Sequence, residues 1–291
     1  MELSQETKKI LLGFQRNELT EYHIYHRIAK RVRDEKDAAT LRSIGDEELR
    51  HSEIWKGYTG TDVAPKRGKI VWLALLSSIL GYTFALKLME GGEDVANDTY
   101  EKISAEVPAA KKIAEEEDQH ERALLDILDE ERLQYVGSMV LGLNDALVEL
   151  TGTLAGLTLA LQNTKLIALS GLITGISATL SMASSEYLSA KAAGEHNAFK
   201  SATYTGIMYV IAVALMVLPY LLFPAERYLA ALFTMLAIVV LVILVFNYYL
   251  AVAKDLDFKK RFFEMAGISL SVAALSFVIG LLAKRLLGID L

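Results

Sequence analysis

Five stretches in the second half of this chain are each long and apolar enough to cross a bilayer: residues 136–161, 166–191, 202–223, 229–253 and 265–283. About 20 apolar residues rising 1.5 Å each cover a hydrocarbon core of ~30 Å. In that core a backbone must satisfy its own hydrogen bonds, which a helix does within one segment. Residues 136–291 are therefore expected to form a five-helix transmembrane domain. An odd number of crossings puts the two ends of that domain on opposite sides. Lys191 and Lys200 follow the second span, and Lys254, Lys259, Lys260 and Arg261 follow the fourth, whereas the alternate connections hold Lys165 and Arg227. The positive-inside rule then places the even connections and the N-terminal half in the cytoplasm, in a multi-pass protein of the cell membrane. Lys284 and Arg285 near the far end oppose that orientation mildly.

Residues 1–135 are of another kind. They carry 20 Lys+Arg against 27 Asp+Glu, while residues 136–291 carry 10 against 9. Charge and hydropathy change together at one point, so the chain reads as two domains, 1–135 and 136–291, each long enough for its own core. The first 20 residues lack the apolar run of a signal peptide. No cysteine occurs, which excludes disulfides, thiolate-held zinc and iron–sulfur clusters. The acidic balance gives no reason to expect a nucleic-acid partner.

Within the front half, a three- and four-residue spacing predicts helices. Leu11, Phe14, Glu18, Tyr22 and Tyr25 share one face of residues 5–33. Leu41, Ile44, Glu48, His51 and Trp55 share a face of 37–56, and Ile113, Glu117, His120, Leu124 and Ile127 a face of 109–130. Turn formers in Gly57–Gly68 and at Glu106–Pro108 separate the segments. Residues 70–89 begin with 17 uncharged residues. A crossing there would part the helix pairs, so a long third helix is expected, its apolar start packing on a bilayer surface, the membrane domain or a partner subunit. The predicted fold class is all-α: a four-helix bundle followed by five membrane helices.

The stripes carry acid and imidazole where a core is expected. Glu48–His51 and Glu117–His120 are Glu-x-x-His pairs, whose members face the same way on a helix and reach one ion. Two such helices, with a Glu from each of two others, make the ligand set of a carboxylate-bridged di-iron or di-manganese site. Glu18 on the first helix and Glu90 with Glu93 on the third complete the expected set. Carboxylate and neutral imidazole suit iron or manganese, without the sulfur that favours copper(I). Unpaired charge on a core stripe would cost several kcal/mol, which argues that the pairs hold metal. His23, His26 and His196 are expected at surface or interfacial positions.

The membrane half buries carboxylates as well. Asp145 and Glu149 are four apart in the first span, Met182 and Glu186 four apart in the second. A carboxylate at mid-bilayer costs roughly 2.5–3.5 kcal/mol and normally lines an ion or proton path. Asn144, Thr151, Ser181 and Ser185 add oxygen donors nearby, while Asn247 and Tyr248 fit helix–helix hydrogen bonding. Gly152-x-x-x-Gly156 and Gly171-x-x-x-Gly175 predict close helix packing, at a path or a dimer seam.

These residues match known patterns. Glu18, Glu48-Leu-Arg-His51, Glu90-Gly-Gly-Glu93 and Glu117-Asp-Gln-His120 resemble the rubrerythrin branch of the ferritin-like superfamily. Gly142-Leu-Asn-Asp-Ala-Leu-Val-Glu149-Leu-Thr-Gly and Ser181-Met-Ala-Ser-Ser-Glu186-Tyr-Leu resemble the first two spans of the vacuolar iron transporter family. The fusion resembles the membrane-bound ferritin type of iron exporter. That resemblance implies a homodimer with the path between the two copies of spans one and two, and exchange of metal for protons. The chain departs from the family patterns in three places. Without the cysteine centre of classical rubrerythrins, a peroxidase cycle would need an external electron donor. The connection Ala192–Ser201 is too short for the metal-binding insertion of plant-type transporters, and Glu149 stands where eukaryotic members have an uncharged residue. The expected function is export of divalent iron, or manganese, from the cytosol by metal/proton antiport, with the front half capturing or sensing the ion. The alternative is a membrane-anchored di-iron ferroxidase or peroxidase whose spans serve as a dimeric anchor.

Overall fold

The computed structural model describes residues 3–90, 99–100, 102–127, 131–195, 197–254 and 256–287, and every regular element among them is helical. Contacts divide the chain into two compact units, Met1–Glu131 and Arg132–Leu291.

The first unit contains α1 (Gln5–Ala29), α2 (Glu35–Thr59), α3 (Arg67–Leu80), α4 (Tyr82–Glu90) and α5 (Ala109–Ile127). Starts and stops follow side-chain chemistry. The Ser4 hydroxyl accepts the Thr7 N–H at 3.1 Å, and the Asp34 carboxylate accepts from Lys36 and Asp37, so both helices open with otherwise orphaned amides satisfied. Gly60, at φ +64°, ends α2 with its amide on the Lys56 carbonyl.

The expected long third helix is instead two. Gly81 adopts φ +101° and ψ 156° between Leu80 and Tyr82, a conformation that a residue with a Cβ rarely enters, and it breaks the run into α3 and α4. The 14 residues of α3 rise about 21 Å, short of a hydrocarbon core, and α3 is not among the spans long and apolar enough to cross. Val71, Trp72, Leu75 and Ile79 leave one face of α3 exposed and apolar.

Two apolar clusters hold this unit together. Leu11, Trp55, Tyr100, Val107 and Ile113 form one, and Ile24, Ile28, Leu41, Ile44, Leu73, Leu86 and Leu124 belong to the other. Along α1 the chain passes from the first cluster through Glu18 to the second. Along α5 it passes in the same order through Glu117 and His120, and along α2 in reverse through Glu48 and His51. The acid and imidazole groups thus occupy a polar layer between two dry ones, and α2 runs antiparallel to its neighbours.

The second unit contains α6 (Val136–Leu161), α7 (Thr164–Ala192), α8 (Ala198–Leu222), α9 (Tyr228–Lys254) and α10 (Phe258–Leu287). All five are long and apolar enough to cross a membrane, matching the five predicted spans. Helix α6 is the most enclosed and packs on each of the others, while α7 turns Leu169, Ile173, Ile176 and Leu180 outward, a face suited to hydrocarbon. The glycine motifs serve packing within the chain. Gly156 lies against the Ser276 carbonyl and Gly280 of α10, and Gly175 against Val213 of α8. These small residues are therefore occupied inside one copy rather than held in reserve for a dimer seam.

Candidate metal sites

The polar layer of the first unit gathers four of the seven expected ligands tightly. Glu18, Glu48, His51 and Glu117 each offer one ligand atom, all within 4.8 Å of one another. His120 completes the arrangement: its Nδ1 lies 3.0 Å from Glu48 Oε1 and 3.5 Å from Glu117 Oε2. His51 Nδ1 lies 3.0 Å from Glu117 Oε1, so each imidazole reaches a carboxylate on the opposite helix. Glu93 and the side chain of Glu90 lie outside the described residues.

Residues that spacing did not single out close the site. Glu116 meets His51 Nε2 at 2.9 Å and Glu47 meets His120 Nε2 at 3.0 Å. Tyr100 and Trp55 both donate to Oε1 of Glu18, at 3.3 and 3.4 Å. Glu21, one turn beyond Glu18, pairs with Lys69 at 3.1 Å. Glu47 and Glu116 each precede a motif Glu by one residue, which was a usable signal. Tyr100 is reached only through tertiary packing. His26 pairs with Asp46 at 2.9 Å, outside the cluster.

Burial sets the electrostatics. It drives the Glu18 carboxyl well above the ordinary carboxylate range, and the neighbouring Glu48 charge adds to this. Burial also raises Glu21 to about 7 despite the Lys69 ammonium. Glu48 resists its own burial because hydrogen bonds from Glu18, His120 and His51 bring it down to about 2. Burial opposes charge on both imidazoles, yet bonds to Glu117 and Glu48 carry His51 up to about 9 and His120 up to about 11. Protons on Glu18, His51 and His120 thus offset the charge of Glu48 and its neighbours in the cluster.

One atom tests the fit of a metal. Glu48 Oε2 is buried without a hydrogen-bond partner, His51 Nδ1 stands 3.7 Å from it, and the Glu18 carboxyl is close enough to Glu48 to be raised by its charge. Two carboxyl groups in that position need a proton or a cation between them, and an oxygen-and-imidazole donor set suits iron or manganese.

In the second unit, Glu149 of α6 accepts the Tyr209 hydroxyl at 2.9 Å, and the same hydroxyl interacts with Asp145. Tyr209, fully buried on α8, joins two carboxylates that spacing had placed on one helix face. Its role was invisible in sequence. Asp145 lines a cavity of about 650 Å³ with residues of α9 and α10. Glu186 accepts the Ser138 hydroxyl at 2.7 Å and lines another, of about 610 Å³, with Glu195 and Ser201. Glu149 is exposed on the single chain, and Met182 is half-buried and lines neither cavity. Of the expected accessory donors, Thr151 turns its hydroxyl back to the Leu147 carbonyl, and Asn144 lines the cavity with Asp145.

Five such helices define a multi-pass membrane protein. A sequence model of the VIT family matches residues 136–198, which cover α6, α7 and the connection to α8 and contain Asp145, Glu149, Met182 and Glu186. The family points to transport of metal ions such as iron or manganese across the membrane. Comparison with curated proteins and with solved structures gave no match.

Proposed function

We propose that this chain exports divalent iron or manganese from the cytosol, with domain 1–135 as a ferritin-like, cytoplasmic metal-capturing domain and domain 136–291 as a metal/proton antiporter. The observation that carries the reading is the pair Asp145 and Glu149, joined by the Tyr209 hydroxyl on the helix where the VIT match begins. A carboxylate placed so deep needs a cation or a proton. Glu149 is open on the single chain, which fits a path completed by a second copy.

In this mechanism Glu18, Glu48, His51, Glu117 and His120, with Glu90 and Glu93, take up the cargo ion and release the protons they hold when empty. Asp145, Glu149 and Glu186 then offer it oxygen donors inside the bilayer, with Met182 as a soft donor on α7. Proton uptake by those carboxylates on the far side frees the ion. Counter-moving protons offset roughly 2.3 kcal/mol for each charge moved outward against 100 mV.

Proteoliposomes holding the full chain, with a pH gradient and Fe(II), Mn(II) or Co(II), test this. Metal flux that collapses with the gradient and is lost in Glu149→Ala is expected. Flux at the wild-type rate in Glu149→Ala would overturn the mechanism.

A second reading draws on Tyr100 and Trp55 against Glu18, an aromatic surround fit for oxidative chemistry at the buried site. Oxygen-dependent Fe(II) oxidation by the full chain without any metal flux would favour a membrane-anchored ferroxidase instead.

A further inference from the structure

The cavity that Asp145 lines is walled by three helices of one copy: Asn144 and Asp145 from α6, Asn247 from α9, and Arg261, Glu264 and Met265 from α10. We propose that it is a divalent-cation site within each copy, in which Glu264 and Asn144 join Asp145 as ligands and from which the ion passes on to Glu149. The proposal rests on the transport reading above and adds to it a loading site away from the face where Glu149 is open.

Three observations build the site. The cavity brings together two carboxylates from helices that are distant in sequence, one ten residues into α6 and the other in the second turn of α10. Asn144 lines the same cavity, and its Oδ1 is buried beside it with no hydrogen-bond partner. An orphaned carbonyl oxygen of this kind normally costs about 1–3 kcal/mol, and a cation supplies what it lacks.

Asn247, 2% exposed, shows that the wall is fixed rather than fluid. Its amide nitrogen donates to the Ile243 carbonyl at 2.8 Å and to Met265 Sδ at 3.2 Å. The nitrogen is thereby committed, and the amide oxygen is the end left for a ligand. The same bond engages the Met265 sulfur, so the groups that remain are oxygens. Oxygen donors from carboxylates and amides select ions of the manganese and ferrous class rather than copper(I).

Arg261 sets the charge. One guanidinium against two carboxylates leaves the cavity at −1 when empty, which a dication reverses to +1. Gly137 and Leu141, on the first turns of α6, line both this cavity and the one holding Glu186 and Glu195.

The charges give the test two opposite signs. In proteoliposomes with Mn(II), Glu264→Gln should raise the half-saturating concentration about tenfold, while Arg261→Gln should lower it several-fold by removing the like charge. A merely structural role would not lower it. Mn(II) binding to the full chain in detergent, followed by loss of the free-ion electron paramagnetic resonance signal, should show one fewer ion per chain in Glu264→Gln. Both variants within twofold of wild type, with an unchanged number of bound ions, would overturn the site. Flux lost in Glu149→Ala but indifferent to Glu264 would sink this inference and spare the transport reading. If the wild type carried no flux, the transport reading would fail, and the binding count would still decide on the site.

Discussion

The imidazole rings of His51 and His120 stack with their centroids 5.6 Å apart and 25° between their planes, each held by carboxylates of the helix opposite. Two cationic rings this close would repel, yet Glu117, Glu116, Glu48 and Glu47 bring their pKa values to about 9 and about 11. Without metal both rings are therefore held protonated near neutrality. A metal requires them neutral, so binding must release a proton from each. Affinity should rise by at least about 100-fold per pH unit between pH 6.5 and 8.5, more steeply wherever Glu18 also still holds its proton, and the slope should fall by about tenfold per unit once pH passes the His51 value. Calorimetry of Mn(II) binding to the full chain in buffers of different ionisation enthalpy measures both slope and proton count. An affinity flat over that interval would show that the rings are already neutral.

Glu18 and Glu48 lie against each other but respond oppositely to burial, and amide substitution should separate them. Glu48 is held charged, so its bonds stabilise the fold above the ordinary carboxylate pKa and that contribution fades only as pH falls toward 2. Neutralising it in Glu48→Gln should cost on the order of 3 kcal/mol without metal, because the paired imidazoles lose their counter-charge. Glu18 is pushed the other way. Glu18→Gln replaces a carboxyl that must be protonated to sit beside Glu48 with a neutral amide that donates there at any pH, for a gain of about 1 kcal/mol near neutrality. Thermal unfolding of the full chain with chelator present should show transitions displaced in opposite directions, with metal affinity weakened in both variants. A shared direction would mean that the two carboxyl groups are not coupled as described.

What the sequence made legible was set by distance along the chain. Helical period is local, so the Glu48–His51 and Glu117–His120 pairs and the five apolar spans could all be read from short windows. Glu18 was legible because it continued an apolar stripe. The Tyr100 and Tyr209 hydroxyls reach Glu18 and Glu149 across 82 and 60 residues, and no window spans that. Gly81 was missed for another reason. A single glycine within an apolar run is compatible with a helix, and only its positive φ reveals the break. The glycine motifs were read correctly as close packing, but which helices they would join depends on the arrangement of all five.

That arrangement is itself testable at Gly280. A Cβ there would sit 2.7 Å from the carbonyl oxygen of Gly156, where backbone meets backbone and neither can rotate aside. At Gly156 a Cβ would come 3.3 Å from the Ser276 carbonyl oxygen, tight but open to a small shift, whereas at Gly137 nothing lies within 4 Å. Gly280→Ala should therefore force α6 and α10 apart and cost about 1–3 kcal/mol, as overpacking in a filled core does. Gly156→Ala should cost less. Gly137→Ala should be neutral or better, since alanine favours a helix over glycine by up to about 1 kcal/mol. Thermal unfolding of the detergent-solubilised full chain ranks the three. Because Asp145 and Glu264 line one cavity from these same two helices, Gly280→Ala should also weaken Mn(II) binding there. A Gly280→Ala protein as stable as Gly137→Ala would mean that α6 and α10 do not meet at their glycines.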